Sequence, residues 1–169
     1  MKKLTERAEI EQLQSTLVAH IPNDWALVTA GNIDSFNTMT VAWASLGDIW
    51  WKPVFNAWVK PSRYTYEFIG REEFFTVQFF GPEHKDDLVI LGTKSGRDCD
   101  KVAETGLTPM DIDGKVTFEQ ALVTLVCRKL YSQPLDFAGL PEDVVNQYYQ
   151  DGEVHTHFIG EIVEAYVKE

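Results

Sequence analysis

Short β-rich runs, each stopped by glycine, proline or an Asx pair, recur along this chain and limit what it can fold into. Trp25 to Ala30 ends at Gly31-Asn32, and Thr38 to Ser45 ends at Leu46-Gly47-Asp48. Val54 to Val59 is opened by Pro53 and ends at Lys60-Pro61-Ser62, while Phe74 to Phe80 ends at Gly81-Pro82. Two later runs span Leu122 to Tyr131 and Val154 to Val167, and Gly160 in the last marks a bulge or bend. Alternation places Met39, Val41 and Trp43 on one face and Thr38, Thr40 and Ala42 on the other. In the next strand Val54, Asn56 and Trp58 share a face.

Helical patterns between these runs are short and irregularly placed. They cover residues 3 to about 19, Arg63 to Ile69, Glu83 to Leu91, a stretch from Asp98 to about Glu104, and a piece of Asp136 to Gln150. Ser62 is the expected N-cap of the second and Gly70 its stop, and Asp98 is the expected cap of the fourth. Ile21 to Asp24 reads as a turn and Gly106 to Pro109 as a break. Strands spaced in this way do not follow the regular βαβ alternation of a parallel sheet. The prediction is a mainly β fold: a closed antiparallel β-barrel with peripheral helices. With 169 residues and 44% hydrophobic content, one domain spanning 1–169 is expected to bury its own core.

A formal net charge of −11 argues against nucleic acid and against an anionic membrane surface as partners. The two cysteines form no CxxC; Cys127, in VTLVC, reads as a small core residue, and Cys99 sits among charges. Two thiols in a chain of this size favour a reducing compartment. No apolar stretch of signal-peptide kind follows the N-terminal lysines, and no run reaches ~18 apolar residues, so the expected location is cytoplasmic. His155 and His157 alternate along a strand without a third metal ligand, which points to surface or interface histidines. There is no GxGxxG, no Walker A loop and no G-x-S-x-G elbow, and no nucleophile–base–acid set. An enzyme built this way would rely on a cofactor for its chemistry.

Three stretches carry polar groups suited to a ligand. Asn37-Thr38-Met39-Thr40 places amide, hydroxyl and backbone N–H groups at a loop-to-strand junction, where they either cap the strand or bind a planar heterocycle. Ser62, Arg63 and Thr65 fall within one turn of a helix start, which is either an ordinary capped surface helix or an anion pocket with a guanidinium fork. Ser95, Gly96, Arg97 and Lys101 form a second basic, turn-containing stretch, in which Lys101 helps hold phosphate or Arg97 simply pairs with Asp98 or Asp100. Of the five tryptophans, Trp43 is the one expected beside a ring system, the others reading as core or dimer contacts.

Taken together, DWALVTAGNIDSFNTMTVAWASLGDIWWKP, VKPSRYTYEFI, FFTVQFF, LGTKSGRDCDKVAETGLTP, FEQALVTLVCRKLY and HFIGEI, in that order, resemble the flavin reductase-like family with the FMN-binding split-barrel fold. The resemblance covers about residues 24 to 167. It implies a six-stranded antiparallel Greek-key barrel, usually a homodimer, with FMN bound noncovalently near the subunit interface. It also implies that Asn37, Thr38, Met39, Thr40 and Trp43 line the flavin, and that Arg63 and Thr65, with Lys101, Ser95 and Arg97, lie near the phosphate and ribityl chain. Phe158, in HFIGEI, is implied near the ring. Departures from the family pattern are Ala42 for the usual Ser before the Trp, Ala44-Ser45 for Gly-Gly, and Lys60 for Arg before the Pro. Residues 132 to 153 match least and are the expected seat of substrate preference.

The function implied is an FMN-dependent oxidoreductase passing electrons from NAD(P)H to free flavin or a redox protein. The alternatives are a flavin-binding electron carrier without NAD(P)H turnover, and a split barrel for another planar ligand such as haem or pyridoxal phosphate.

Overall fold

The computed structural model describes residues 1–169. In chain order its elements are β1 (Lys2–Leu4), α1 (Arg7–Leu17), α2 (Ile21–Asp24), β2 (Ala26–Asn32), β3 (Ser35–Val41), β4 (Ala44–Ile49), β5 (Lys52–Val59), α3 (Tyr64–Arg71) and β6 (Phe74–Phe79). A 3-10 turn at Pro82–His84 leads into α4 (Lys85–Thr93), followed by β7 (Pro109–Ile112), β8 (Lys115–Phe118) and β9 (Val123–Pro134). A second 3-10 turn, Phe137–Gly139, precedes α5 (Glu142–Tyr148) and β10 (Thr156–Val167).

The main sheet runs in the order β3-β2-β6-β9-β10-β5-β4, and its pairs are antiparallel. Its two ends, β3 and β4, are consecutive in the chain and separated only by Ala42 and Trp43. As one bent strand they pair with β2 on one side and β5 on the other, which closes a six-stranded barrel. β1 pairs with the far end of β10, beyond the stretch that pairs with β5. Meanders β2–β3/β4–β5 and β6–β9–β10 are joined through α3, and the β2–β6 and β5–β10 pairs make the connection a Greek key. The mainly β barrel with peripheral helices is therefore the architecture observed.

The barrel interior holds one cluster of 23 buried apolar residues, among them Val28, Phe55, Val77, Leu125 and Ile162. β2 is covered on both faces, which explains why its residues 26–30 are all buried and, Thr29 apart, apolar. Ala26, Val28 and Ala30 point into the barrel. Leu27 points outward into a second cluster with Leu88 and Leu91 of α4 and with Phe118 of the β7–β8 hairpin. Beside Leu27 lies a dry polar layer. Thr29 Oγ1 pairs with Thr38 Oγ1 at 2.7 Å and donates to Gln78 Oε1 at 2.9 Å, and Gln78 Nε2 donates to Thr76 Oγ1 at 2.7 Å and Val116 O at 3.2 Å. A buried network is tolerable only when its members are paired in this way.

The structure differs from the sequence reading at several turns. Leu46-Gly47-Asp48 is not a turn but lies within β4, paired with Phe55, Val54 and Pro53. The reversal falls instead at Trp50-Trp51, both with positive φ (56° and 57°), a two-residue loop of the kind that matches strand twist. Cross-strand pairing outweighs local turn propensity here, and it leaves Trp50 and Trp51 exposed rather than in the core. Ile21–Asp24 is a helical turn. α3 is N-capped by Arg63 without a side-chain bond, because Ser62 is engaged by Glu153, and the helix passes through Gly70 to Arg71. No helix forms at 98–104; the chain makes successive turns there, with Asp100 accepting from the Ala103 N–H. The β7–β8 hairpin, turned at Asp113-Gly114 with φ of 53° and 79°, adds two strands outside the β-rich runs. Cys127 is fully buried in the barrel and Cys99 half-buried, and both are free thiols.

Two register breaks between β9 and β10, at Ile159/Gly160 and Ile162/Glu164, let this long pair curve around the barrel. Gly160 sits at the first because nothing larger fits. A Cβ there would lie 2.5 Å from Phe75 Cζ and 2.8 Å from Cys127 Cβ. Gly160→Ala is expected to destabilise the protein by about 1–3 kcal/mol through overpacking, read as a lower denaturant midpoint at unchanged m-value. An unaltered midpoint would show that the barrel wall yields at this point.

Candidate functional site

The partner change between β3 and β4 opens a cleft. β3 leaves β2 after Val41 and β4 joins β5 at Ala44, so Ala42 and Trp43 belong to neither ladder, although Trp43 O still accepts from the Trp58 N–H at 3.3 Å. Residues 39–43 form one wall of a cleft of about 420 Å³. The end of β5 supplies Trp58 and Lys60, Arg63 precedes α3, Tyr148 ends α5, and His155 lies just before β10. Trp43 is 44% exposed and packs edge-on to Tyr148, with centroids 5.0 Å apart, and against His155 at 4.9 Å. His155 Nδ1 and the Tyr149 hydroxyl are 3.0 Å apart. Burial, reinforced by nearby Lys60, pushes the His155 pKa down to about 4, so the imidazole is neutral near pH 7.

An adjoining cleft of about 250 Å³ shares Met39, Lys60 and Arg63 with the first and is rich in charge. Lys94, Ser95, Thr65 and Lys101 also line it, as do Asp151 and Glu153. Lys101 is only 4% exposed and donates to Leu91 O at 2.8 Å and Lys94 O at 3.1 Å, the carbonyl end of α4. An ammonium there complements the helix dipole and leaves one N–H of three uncommitted. Burial, followed by repulsion from Arg63, lowers its pKa to about 8. Arg63 donates to Gly92 O at 3.0 Å, so the last turn of α4 anchors two cations.

Of the residues expected at the site, Met39, Thr40, Trp43, Arg63, Thr65, Ser95 and Lys101 line these two clefts. Asn37 and Arg97 instead line a third cleft of about 510 Å³ beyond Tyr64, which Lys101 also reaches. Arg97 is tied down, donating to Ser62 O at 2.9 Å, paired with Glu67 and stacked over Tyr64. Asn37 Nδ2 donates to Thr65 Oγ1 at 2.6 Å, tying β3 to α3. Thr38 points into the dry polar layer, and Phe158 lies in the barrel core against Tyr66, so neither side chain reaches a cleft. Trp58, Tyr148 and His155 line the first cleft and are not among the expected ligand contacts. The outward face of β5 was a signal for Trp58; nothing local distinguished His155. Tyr148, Asp151 and Glu153 come from the poorly matching stretch 132–153.

A cleft with aromatic and apolar walls at one end and clustered cations at the other fits a planar ligand carrying an anionic tail. Its two parts together fall within the roughly 300–1,000 Å³ usual for such sites. The profile of the flavin reductase like domain matches residues 18–169, and the chain belongs to the flavin reductase-like family. Among solved structures it is similar to an FMN-binding domain of a flavin reductase-like enzyme from Shewanella baltica (TM-score 0.71, 20% identity, 98% of this chain and 77% of that one). It is also similar to flavoredoxin of Desulfovibrio vulgaris (0.68, 24%, 88% and 71%) and to the styrene monooxygenase flavin reductase of Pseudomonas putida (0.62, 17%, 86% and 80%). At these identities the structures establish the shared split-barrel fold. No curated protein matches.

The Asn37–Thr65 bond is buried at both ends. Asn37→Ala leaves the Thr65 hydroxyl without this partner and opens space beside Gly96, where the amide oxygen now sits. A loss of roughly 1–3 kcal/mol in unfolding free energy is expected from denaturant titration. A loss below a few tenths would show that the bond does not secure α3.

Proposed function

We propose that the joined clefts bind FMN and that the protein is an FMN-dependent oxidoreductase of flavin reductase type, taking electrons from NAD(P)H and passing them to free flavin or a redox protein. The observation carrying this reading is the polarity of the cleft: Trp43, Trp58 and Met39 at one end, and Lys60, Arg63, Ser95 and Lys101 at the other, in a chain of net charge −11. FMN, when bound, supplies the hydride acceptor and the electrons passed onward. The chain's own residues bind, orient and exclude water. Lys60, Arg63 and Lys101 attract the phosphate, with charge-assisted bonds worth ~1.5–3 kcal/mol each. The 39–43 wall and Trp58 hold the ring, and Trp43 with Tyr148 screens one edge from solvent. Neutral His155 offers a hydrogen-bonding group without adding charge at the ring end.

The family reading extends to a cytoplasmic homodimer of this single domain. A carrier without NAD(P)H turnover is the second reading, in keeping with the likeness to flavoredoxin. Anaerobic addition of NADH or NADPH to the FMN-loaded protein separates the two. Bleaching of the flavin absorbance over seconds to minutes is expected, whereas persistent colour would leave only the carrier. Protein that takes up no FMN would remove both.

The lowered pKa of Lys101 gives the binding a pH dependence. The ammonium is largely protonated below pH 8 and loses its charge as pH rises through about 8, while a phosphate monoester stays dianionic. FMN affinity is therefore expected to weaken roughly three- to tenfold between pH 7 and pH 9. Lys101→Arg, which keeps its charge throughout, should flatten the profile in flavin fluorescence titrations. Equal slopes for the two proteins would remove Lys101 from the phosphate end.

A further inference from the structure

We propose that Asp151 and Glu153 form an internal acidic clip that occupies the cationic end of the cleft, so that the phosphate of FMN binds only by displacing it. This rests on the reading of the cleft as a flavin site and concerns how tightly that site holds its ligand.

Asp151-Gly152-Glu153 lies between α5 and β10, and Gly152, with φ of 76°, reverses the chain between the two carboxylates. Asp151 Oδ2 accepts from Lys60 Nζ at 2.7 Å. Both oxygens of Glu153 are engaged by one residue: Oε1 accepts from the Ser62 N–H at 2.8 Å and Oε2 from the Ser62 hydroxyl at 2.7 Å. The clip is braced internally, since Asp151 Oδ1 accepts from the Glu153 N–H at 3.1 Å. An ammonium, a hydroxyl and a backbone N–H ahead of a helix are the donors that a phosphate monoester selects. Here two carboxylates hold all three, inside a cleft where Arg63 and Lys101 bond only to carbonyl oxygens and Lys94 is paired with Glu104.

The chemistry of the occupant sets the consequence. Asp151 is 58% exposed and Lys60 19%, so the pair is partly solvated and readily exchanged. A phosphate competing for these donors binds with its intrinsic affinity multiplied by the fraction of molecules in which the clip is open. A flavin lacking phosphate does not compete and is unaffected. The clip thus narrows the preference for FMN over riboflavin and favours an FMN that exchanges rather than one held permanently.

The test is fluorescence titration of FMN and of riboflavin into the wild-type protein and the Asp151→Asn/Glu153→Gln double variant. Both replacements are isosteric and lie in an exposed or half-exposed loop, so folding is retained. FMN is expected to bind the double variant roughly three- to tenfold more tightly, with riboflavin affinity unchanged. FMN affinity that is unchanged or weaker in the variant overturns the clip while leaving the flavin site intact. Equal tightening of both flavins also overturns it, because the effect is then general opening and not competition for the phosphate donors. Binding of neither flavin to either protein overturns the flavin site and the clip together.

Discussion

The change of partner at Ala42–Trp43 is the constraint on which the rest depends. A barrel whose first and last sheet positions belong to consecutive segments closes only if the chain leaves one ladder and joins another. Val41 still faces Ala26 and Ala44 already faces Ala57, so two residues make the transfer. Closure removes the sheet edges that a strand array of this size would otherwise expose. The same two residues stand outside both ladders, and the chain there becomes a cleft wall. Fold closure and the cleft are thus one local event, and Trp43 is exposed because it sits at this transfer and not within a strand.

The charged end of the cleft depends on a different part of the fold. Arg63 bonds Gly92 O, and Lys101 bonds Leu91 O and Lys94 O, so both cations answer to the carbonyl end of α4. α4 is held in place by Leu88 and Leu91 in the outer cluster, against Leu27 of β2 and Phe118 of the hairpin. A seven-residue apolar cluster outside the barrel therefore sets where the cations stand. It also explains how positive charge gathers in an acidic protein: helix carbonyls offset part of the mutual repulsion of Arg63 and Lys101, and the lowered Lys101 pKa reflects what burial and repulsion leave over.

Most of the barrel was legible in the sequence because apolar runs and their Gly/Pro stops report burial and chain reversal directly. What escaped was decided by pairing between distant segments. Gly47 looks like a turn residue but faces Val54 in a ladder, and Trp50-Trp51, which reads as core or dimer contacts, makes the reversal. Lys101 was legible as a phosphate candidate from its basic surroundings, yet the helix expected around it is absent because its side chain reaches back to α4. His155 and the 148–153 stretch join the cleft through the path of α5 and the chain leading into β10, for which no local pattern exists. Thr38 belongs to the same motif as Asn37 and Met39, yet its side chain lies on the strand face that turns into the dry polar layer.

That face is set by the dry polar layer. Thr29, Thr38, Thr76 and Gln78 are at most 1% exposed, and each finds its partner on a neighbouring strand or on Val116 O. A slip of β3 by one residue against β2 would put the Met39 side chain beside these groups and turn the Thr38 and Thr40 hydroxyls into the apolar interior. Several unpaired polar groups would then be buried at ~1–3 kcal/mol each, a penalty large enough to exclude the slipped state. The register of β3 in turn determines which residue is the last to pair with β2. The layer, which lines none of the three clefts, thereby fixes that Val41 ends the ladder and that the chain transfer, with the cleft it opens, begins at Ala42.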